Sequence, residues 1–523
     1  MPTITFSKEE LQAYLKEDMP ADELRATITM LGTDIDAFGE EISVEIFPNR
    51  PDLLSVPGLA RAINAFRGHK PNAYQTQKAS LEVVVHPSVK DVRAHTRCLV
   101  AKNLQLNDQR IEQLIQLQEK LHVTFGRNRK KAAIGIYPLE KITPPITYQA
   151  QKPTDITFKP LEAKKEMNAK QLLTEHPTGK KYAHLLEGHR TYPVFRDANN
   201  TVLSVPPIIN SQEAGAIQTS TQEAFVEVSG DDPRILKQAI NIIACTLIDQ
   251  GASIHETTIT YKDHQVTSPD LKPTTRKIDV EYVLQRSNIP SKKALKESLA
   301  KMGITLEENN AIIPAYRTDF LHDVDIIEDA LIGYGYENLK PTIPQAYTVG
   351  GFSNEYLREE KIREVLAGMR MQEVMTYHLS DQGIPLSNPL TSDYSHLREE
   401  LLQNLLDVLA NNLSNTYPQR IFEVGATFSK AKTETGIRET PSVTTIICDE
   451  KTDYTQVRQQ LEALAQAMKW ELTFTKTQDK RFIPGRCARI SGSVEGIIGE
   501  IHPAQLAKRK ITTPCAGFEI HRK

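Results

Sequence analysis

Apolar and polar positions along the chain fall into two periods, one near 3.6 and one near 2, and the switches between them mark the units. The stretch "YLKEDMPADELRATITMLGTDID" (14–36) passes from an apolar start through Pro20 into a helical pattern that closes at Gly32. The stretch "VLQRSNIPSKKALKESLAKMGITLE" (283–307) does the same through Pro290 to Gly303. Proline at the start and glycine at the end is the usual asymmetry of helix termini, and an extended segment follows each. Two small related helix–turn–strand modules are expected, although shared capping alone accounts for the likeness as readily. Further on, "EYLREEKIREVLAGMRMQEVMTYHL" mixes helical and strand patterns, and "HLREELLQNLLDVLANNLSN" reads as helix. The β-rich pieces "RIFEVGATF", "PSVTTIICD", "RCARISGSVEGIIGEI" and "CAGFEI" complete the chain. Antiparallel strands with helices segregated to one side give an α+β, multidomain fold class.

Proline-rich or polar breaks at 261–277, 339–351 and 430–442 read as boundaries. A fourth, at 141–160, contains "PITY" and "DITF", which read as short strands inside one domain. The expected units are 1–80, a small module; 81–270, a mixed α/β domain; 271–346, a second small module; and 347–523, an antiparallel-sheet domain.

The most concentrated charge lies in "RTDFLHDVDIIEDALIGYGYENL" (317–339). On a helix of about 100° per residue, Asp325, Glu328 and Asp329 share one face, and Ile326, Ile327, Ala330, Leu331 and Tyr334 occupy the other. Asp323 belongs at the helix N-terminus, where the dipole favours an acid, and Asp319 precedes the helix by a short loop. Carboxylates at i, i+3 and i+4 repel unless a positive charge compensates. A solvated face, a hard divalent cation such as Mg²⁺ or Ca²⁺, and a basic patch on a partner chain all remain open on spacing alone.

A chain of 523 residues exceeds one hydrophobic core. Its 39% hydrophobic and 25% charged residues are ordinary for a soluble globular protein. No window approaches a membrane span, and "MPTITFSKEELQAYL" shows no secretion signal. The five cysteines form no CxxC pair, which argues for a reducing, cytoplasmic setting and against structural zinc. Net charge of −3 limits any nucleic-acid partner to local basic patches. One such patch, Arg127, Arg129, Lys130 and Lys131, reads first as a solvated turn and second as a set of phosphate contacts. In "FPNRPDLL", Arg50 and Asp52 flank Pro51 and are placed to clasp each other. His176, His184 and His189 do not have metal-ligand spacing.

Four stretches occur in an order that resembles the phenylalanine–tRNA ligase beta-subunit family of the shorter archaeal/eukaryotic type. They are "IFPNRPDLLSVPGLARAINAF" (46–66), "HPTGKKYAHLLEGHRTYPVFRDANNTVLSVPPIINSQEAGAIQTSTQEAFVEVSGDD" (176–232), "RIFEVGATF" and "FIPGRCARISGSVEGIIGEIHPAQL" (482–506), together with the acidic stretch "RTDFLHDVDIIEDALIGYGYENL" (317–339). The resemblance covers essentially the whole chain. It implies an (αβ)₂ heterotetramer with an alpha subunit that binds ATP and aminoacylates tRNA(Phe). In this chain it implies an editing domain that hydrolyses mischarged Tyr-tRNA(Phe), and a catalytically silent class II synthetase-like domain. Silence agrees with the residues: neither an F-R-x-E stretch nor a Gly-rich strand ending in Arg occurs between 350 and 523. The resemblance further implies a Mg²⁺ ligand set of Asp319, Asp325, Glu328 and Asp329. Editing has a physical motive, because an apolar pocket rejects an added hydroxyl by only about 10². The implied pocket residues are Asn210, Ser211, Glu227, Ser229, Gly230 and Asp232. Ser229 stands where the family commonly has Thr, and Pro138 where it often has Asp. By residue type alone, Asn210 and Ser211 would cap a following helix.

Overall fold

The computed structural model describes residues 2–345 and 348–522 and divides into two units, one ending at Ile343 and one beginning at Pro344. The boundary expected at 346/347 lies outside the described residues.

The first unit opens with strand β1 (Thr3–Ser7), helices α1 (Lys8–Gln12) and α2 (Ala21–Met30), and strands β2 (Asp34–Phe38) and β3 (Glu41–Glu45). The last strand enters the middle of the sheet, giving the order β1-β3-β2. Helix α3 (Val56–Phe66) follows, with Pro57 in its first turn and the Ser55 hydroxyl accepting from the Gly58 amide.

The second domain contributes β4 (Gln77–Val85), β5 (His95–Lys102), α4 (Asp108–Val123), β6 (Ala133–Pro138) and β7 (Ile146–Gln151). It continues with β8 (Tyr192–Arg196), β9 (Val202–Val205), β10 (Ile209–Asn210), β11 (Ala224–Gly230), α5 (Pro233–Asp249), β12 (Ser253–Thr260) and β13 (Gln265–Ser268). These form a ten-stranded sheet in the order β10-β9-β8-β7-β4-β12-β5-β11-β6, with β13 paired to β12. Strand β4 is parallel to both neighbours, and the other pairings are antiparallel. The break at 141–160 does fall inside this domain: "PITY" is part of β7, and Thr157–Phe158 pairs with Met167–Asn168. Strand β11 is buried along its whole length, between β5 and β6 and under α5, so any polar side chain on it needs an internal partner.

The third domain repeats the first. Strand β14 (Thr274–Lys277), helices α6 (Val280–Ser287) and α7 (Lys292–Lys301), and strands β15 (Thr305–Glu307) and β16 (Asn310–Ile313) form a sheet in the order β14-β16-β15. Strand, two helices, strand, central strand is thus the topology of both stretches whose patterns resemble each other. Gly32 and Gly303 end the second helix of each at φ +81 and +77, a conformation that costs glycine least. Helix α8 (Asp323–Tyr334) then packs Ile326, Ile327 and Ala330 onto this module's core. It approaches α7 so closely that a Cβ on Gly333 would lie 2.0 Å from the Ser298 carbonyl oxygen. Gly333→Ala should therefore cost about 1–3 kcal/mol through overpacking, read as a lowered urea midpoint. An unchanged midpoint would show that the two helices separate freely.

The three domains meet at buried charges. Arg50 and Asp52 clasp each other at 2.9 Å through both guanidinium branches, as their spacing predicts. On α3, Arg61 bonds Asp249 at the end of α5 at 2.7 Å, and Tyr74 donates to the same carboxylate at 2.8 Å. The Arg61 guanidinium also lies 4.0 Å over the Tyr316 ring of the third domain.

The second unit has α9 (Asn354–Gly368), β17 (Gln372–Glu373), α10 (Leu402–Ala410), β18 (Gln419–Lys430), β19 (Ile437–Cys448) and α11 (Tyr454–Met468). Strands β20 (Leu472–Lys476), β21 (Phe482–Gly492), β22 (Val494–Ile501) and β23 (Cys515–Arg522) complete it. Its seven-stranded sheet runs β17-β18-β19-β23-β22-β21-β20, antiparallel except for the β17–β18 pair. Helices α9 and α11 cover one core, but α10 packs over a second. The expected segregation of helices to one side is therefore incomplete. Among the described residues no helix is long and apolar enough to cross a membrane.

Candidate functional site

A cavity of about 510 Å³ opens between α4, β6 and the loop after β9. Two of the residues implied by the resemblance, Asn210 and Glu227, line it. The register that pairs β11 with β6 sets Glu227 opposite Gly135, with Tyr137 two residues along. A Cβ on Gly135 would fall 2.1 Å from Tyr137 Oη and 2.6 Å from Glu227 Oε1. Only glycine leaves room there for the carboxyl and the phenol to meet.

Tyr137 Oη lies 2.8 Å from Ser204 Oγ, 3.1 Å from Glu227 Oε1 and 3.3 Å from Asn210 Oδ1. Glu227 is 2% exposed, and its second oxygen, Oε2, is buried without a hydrogen-bond partner among the described residues. Burial pushes the carboxyl up to about 8, against the opposing pull of the Tyr137 hydrogen bond and the Arg93 charge. The group is therefore largely protonated at neutral pH, so it offers a donor as well as an acceptor.

The folded value of Glu227 lies above the unfolded one, so the stabilising contribution is complete below pH ~4.5 and is lost as pH rises through ~8. Glu227→Gln removes this titration. Relative to wild type, the variant should gain stability between pH 5 and pH 9 in urea denaturation. A pH-independent difference would show that Glu227 ionises normally.

Arg129 reaches the same cavity from a turn in which Arg127, Asn128 and Arg129 all have positive φ, at 47, 52 and 66. Its guanidinium donates to the Ile208 carbonyl at 2.7 Å and to Glu119 at 2.8 Å, and lies 4.4 Å over the Tyr182 ring. His122 is buried beside them. The Ile134 amide donates to its Nε2 at 2.7 Å, leaving the ring proton on Nδ1, which faces Glu119 at 3.0 Å. Burial keeps this imidazole below its ordinary value. Burial alone would raise Glu119, but the hydrogen bond from His122 and the Arg129 charge outweigh it and hold the carboxyl at about 2. The cavity thus carries a neutral carboxyl–phenol–amide group and a fixed ion pair.

Of the six expected pocket residues, Asn210 and Glu227 line the cavity, Ser229 lies beside the Glu227 carboxyl, and Ser211, Gly230 and Asp232 are not part of the lining. The Ser211 hydroxyl accepts from the Ala214 amide and caps a turn, since no helix follows. Arg93 donates to the Ser229 hydroxyl at 3.1 Å. Gly230 sits where a Cβ would strike the Lys131 carbonyl, and Asp232 caps α5 and pairs with Arg234. Tyr137, Ser204, His122, Glu119 and Arg129 escaped the sequence reading. Only Arg129 carries a signal in the sequence, as one member of a basic run that reads first as a solvated turn and second as phosphate contacts.

The acidic stretch is compensated from within. Arg317, its side chain fully buried, holds both oxygens of Asp319 at 3.0 and 2.7 Å and one oxygen of Asp329 at 2.7 Å. Asp325 instead accepts from the Leu321 and His322 amides at 2.6 and 2.7 Å, closing the start of α8. Glu328 is exposed, and its carboxyl is raised by partial burial and then by the charges of Asp329, Asp325 and Asp319. Among the described residues no three His, Cys, Asp or Glu side chains are grouped to hold a metal ion. Within this chain Arg317 and the start of α8 thus engage oxygens of Asp319, Asp329 and Asp325, while the Glu328 carboxyl is exposed. Asp323 starts α8 as expected and pairs with Arg276 at 3.2 Å.

Comparison with known proteins agrees along the whole chain. Residues 277–336 match the tRNA synthetase B5 domain family, and residues 339–521 match the phenylalanyl tRNA synthetase beta chain CLM domain family. The chain is 34% identical to the phenylalanine–tRNA ligase beta subunit of Pyrococcus furiosus, over 100% of this chain and 99% of that one. It is also 34% identical to the beta subunit of Archaeoglobus fulgidus, over 99% and 98%. A crystal structure of an N-terminal fragment of the Pyrococcus horikoshii phenylalanyl-tRNA synthetase beta subunit is similar at 33% identity. It covers 64% of this chain and 100% of the fragment, with a TM-score of 0.62.

Proposed function

The chain belongs to the phenylalanine–tRNA ligase beta-subunit family, and from that premise we propose that the cavity around Glu227 hydrolyses Tyr-tRNA(Phe) formed in error by the assembled enzyme. The observation that carries this reading is the buried, unpartnered Oε2 of Glu227 beside Tyr137 and Asn210. A phenol hydroxyl entering there finds an acceptor and donors together. A phenylalanine ring would leave the same groups unpaired, which a polar site penalises far more strongly than an apolar site penalises an added hydroxyl. Selectivity is thus reversed relative to a synthetic pocket built for phenylalanine. What this chain's residues do is bind and orient: the carboxyl–phenol–amide group reads the side chain, and the Arg129–Glu119–His122 set fixes the cavity wall.

The test is deacylation. The assembled enzyme should hydrolyse Tyr-tRNA(Phe) much faster than Phe-tRNA(Phe), and equal rates would leave this chain a scaffold and tRNA-binding subunit without editing.

The second unit is, in this reading, the silent class II synthetase-like domain, and ATP and Mg²⁺ serve ligation on an alpha subunit in the cytoplasm. Its described surface exposes Phe352, Met375, Tyr377 and Leu390 at 70, 88, 72 and 101%. Exposed apolar groups in that number suit a partner surface. The chain expressed alone should aggregate, and co-expression with an alpha subunit should give a soluble (αβ)₂ assembly that binds tRNA(Phe). Size measurement by light scattering decides this, and a well-behaved monomer with no affinity for an alpha chain would contradict the assignment.

A further inference from the structure

Two of the five cysteines, separated by 66 residues of sequence, meet where two adjacent central strands of the seven-stranded sheet end their pairing. The antiparallel register of β19 and β23 sets Cys448 directly opposite Cys515. The next pair outward is Asp449 and Pro514, where the Asp449 amide donates to the Pro514 carbonyl at 3.2 Å. That bond identifies 449/514 as a hydrogen-bonded pair, and alternation along the ladder makes 448/515 a non-hydrogen-bonded one. Side chains approach most closely at such pairs, with Cα atoms about 4.5 Å apart, inside the roughly 4.4–6.8 Å that a disulfide spans. Both thiols are free. Both also face the Thr513 carbonyl, at 3.9 Å from Cys448 and 3.5 Å from Cys515. Cys98 and Cys245 lie in separate cores, and the Cys487 thiol faces the Thr477 carbonyl instead.

We propose that Cys448 and Cys515 form a redox-modification site, a cross-strand dithiol that a small hydroperoxide closes to a disulfide. The Cys448 thiolate attacks one peroxide oxygen, the O–O bond breaks, and hydroxide leaves as Cys448 becomes a sulfenic acid. The Cys515 sulfur then attacks the Cys448 sulfur, the S–O bond breaks, and the thiol proton leaves with the departing hydroxide as water. In total two thiols and one hydrogen peroxide give one disulfide and two waters. The hydrogen bond from Cys515 lowers the Cys448 thiol below its ordinary value, which favours Cys448 as the attacking sulfur. The residues are 1% and 3% exposed, so the oxidant must be no larger than hydrogen peroxide itself. The bond would fasten the two central strands beneath α10, whose Leu402, Leu405, Leu406 and Leu409 share the same core. This site is independent of the editing cavity.

The full-length chain, folded and co-purified with its alpha subunit, is treated with hydrogen peroxide, alkylated under denaturing conditions and digested without reductant. The expected result is one linked peptide joining Cys448 to Cys515, removable by dithiothreitol, with Cys98, Cys245 and Cys487 still alkylated. Cys448→Ser and Cys515→Ser should each abolish it. Should either variant fail to fold, the wild-type peptide map decides alone. Separate sulfinic acids at the two cysteines, unreacted thiols, or a link that appears only in urea-unfolded protein would overturn the proposal.

Discussion

Arg317→Met is expected to lower the unfolding free energy of the first unit by about 3–5 kcal/mol, the usual cost of removing one partner from a buried ion pair. The wild-type Arg317 side chain has no exposed surface, while the side chains of Asp319 and Asp329 are 10% and 7% exposed. Methionine fills much of the volume but leaves both carboxylates without a countercharge in a desolvated place. Their repulsion then adds to that of Asp325 and Glu328 nearby. Asp323→Ala supplies the contrast. Its pairing with Arg276 involves side chains 36% and 29% exposed, and such pairs contribute about 0–1 kcal/mol. Urea denaturation of the chain co-purified with its alpha subunit, followed through the transition of the first unit, measures both. Equal losses would show that Arg317 is not the charge that holds the acidic stretch together.

Glu227→Ala in the assembled enzyme should abolish most Tyr-tRNA(Phe) deacylation while phenylalanine activation stays at its wild-type rate. Net discrimination against tyrosine should then fall toward the roughly 10² that an apolar pocket achieves without correction. The substitution removes the carboxyl whose Oε2 is buried without a partner among the described residues and leaves Tyr137 bonded to Ser204. Asn210→Ala should act in the same direction with a smaller effect, since Asn210 Oδ1 is the most distant of the three neighbours of Tyr137. Accumulation of Tyr-tRNA(Phe) during aminoacylation with tyrosine is the readout. Lost activation in an intact assembly would contradict the division of work between the chains.

The parts of the fold legible in the sequence were those set by local chemistry. Pro20, Gly32, Pro290 and Gly303 mark helix ends wherever they fall, and the Arg50–Asp52 clasp needs only two residues of separation. The apolar side of α8 followed from its period, yet Asp329 turned out buried at 5% exposure. Periodicity assigns a side chain to a face and does not show that Arg317, twelve residues earlier, waits there. The cavity was legible at Glu227 and Asn210 through family resemblance. Tyr137 was not, because its role arises from the register that sets Gly135 against Glu227. Arg129 is hidden for a different reason: three consecutive left-handed residues turn one basic side chain inward, and a charge run carries no record of that. The cysteines looked scattered because only strand pairing brings two of them together.

The junction around Arg61 has a consequence for the order in which the chain acquires its structure. The N-terminal module is synthesised first and can complete its own three strands from local contacts, whereas the carboxylate that neutralises Arg61 belongs to Asp249, 188 residues later. Tyr316, which covers the same guanidinium, is made later still. Until α5 emerges and docks, Arg61 keeps its water, and the face of α3 that will be buried stays open. Contacts of such sequence separation form last, because chain closure must precede them. Sealing this seam therefore closes a loop of 188 residues, and that closure entropy is offset only once α5 has docked.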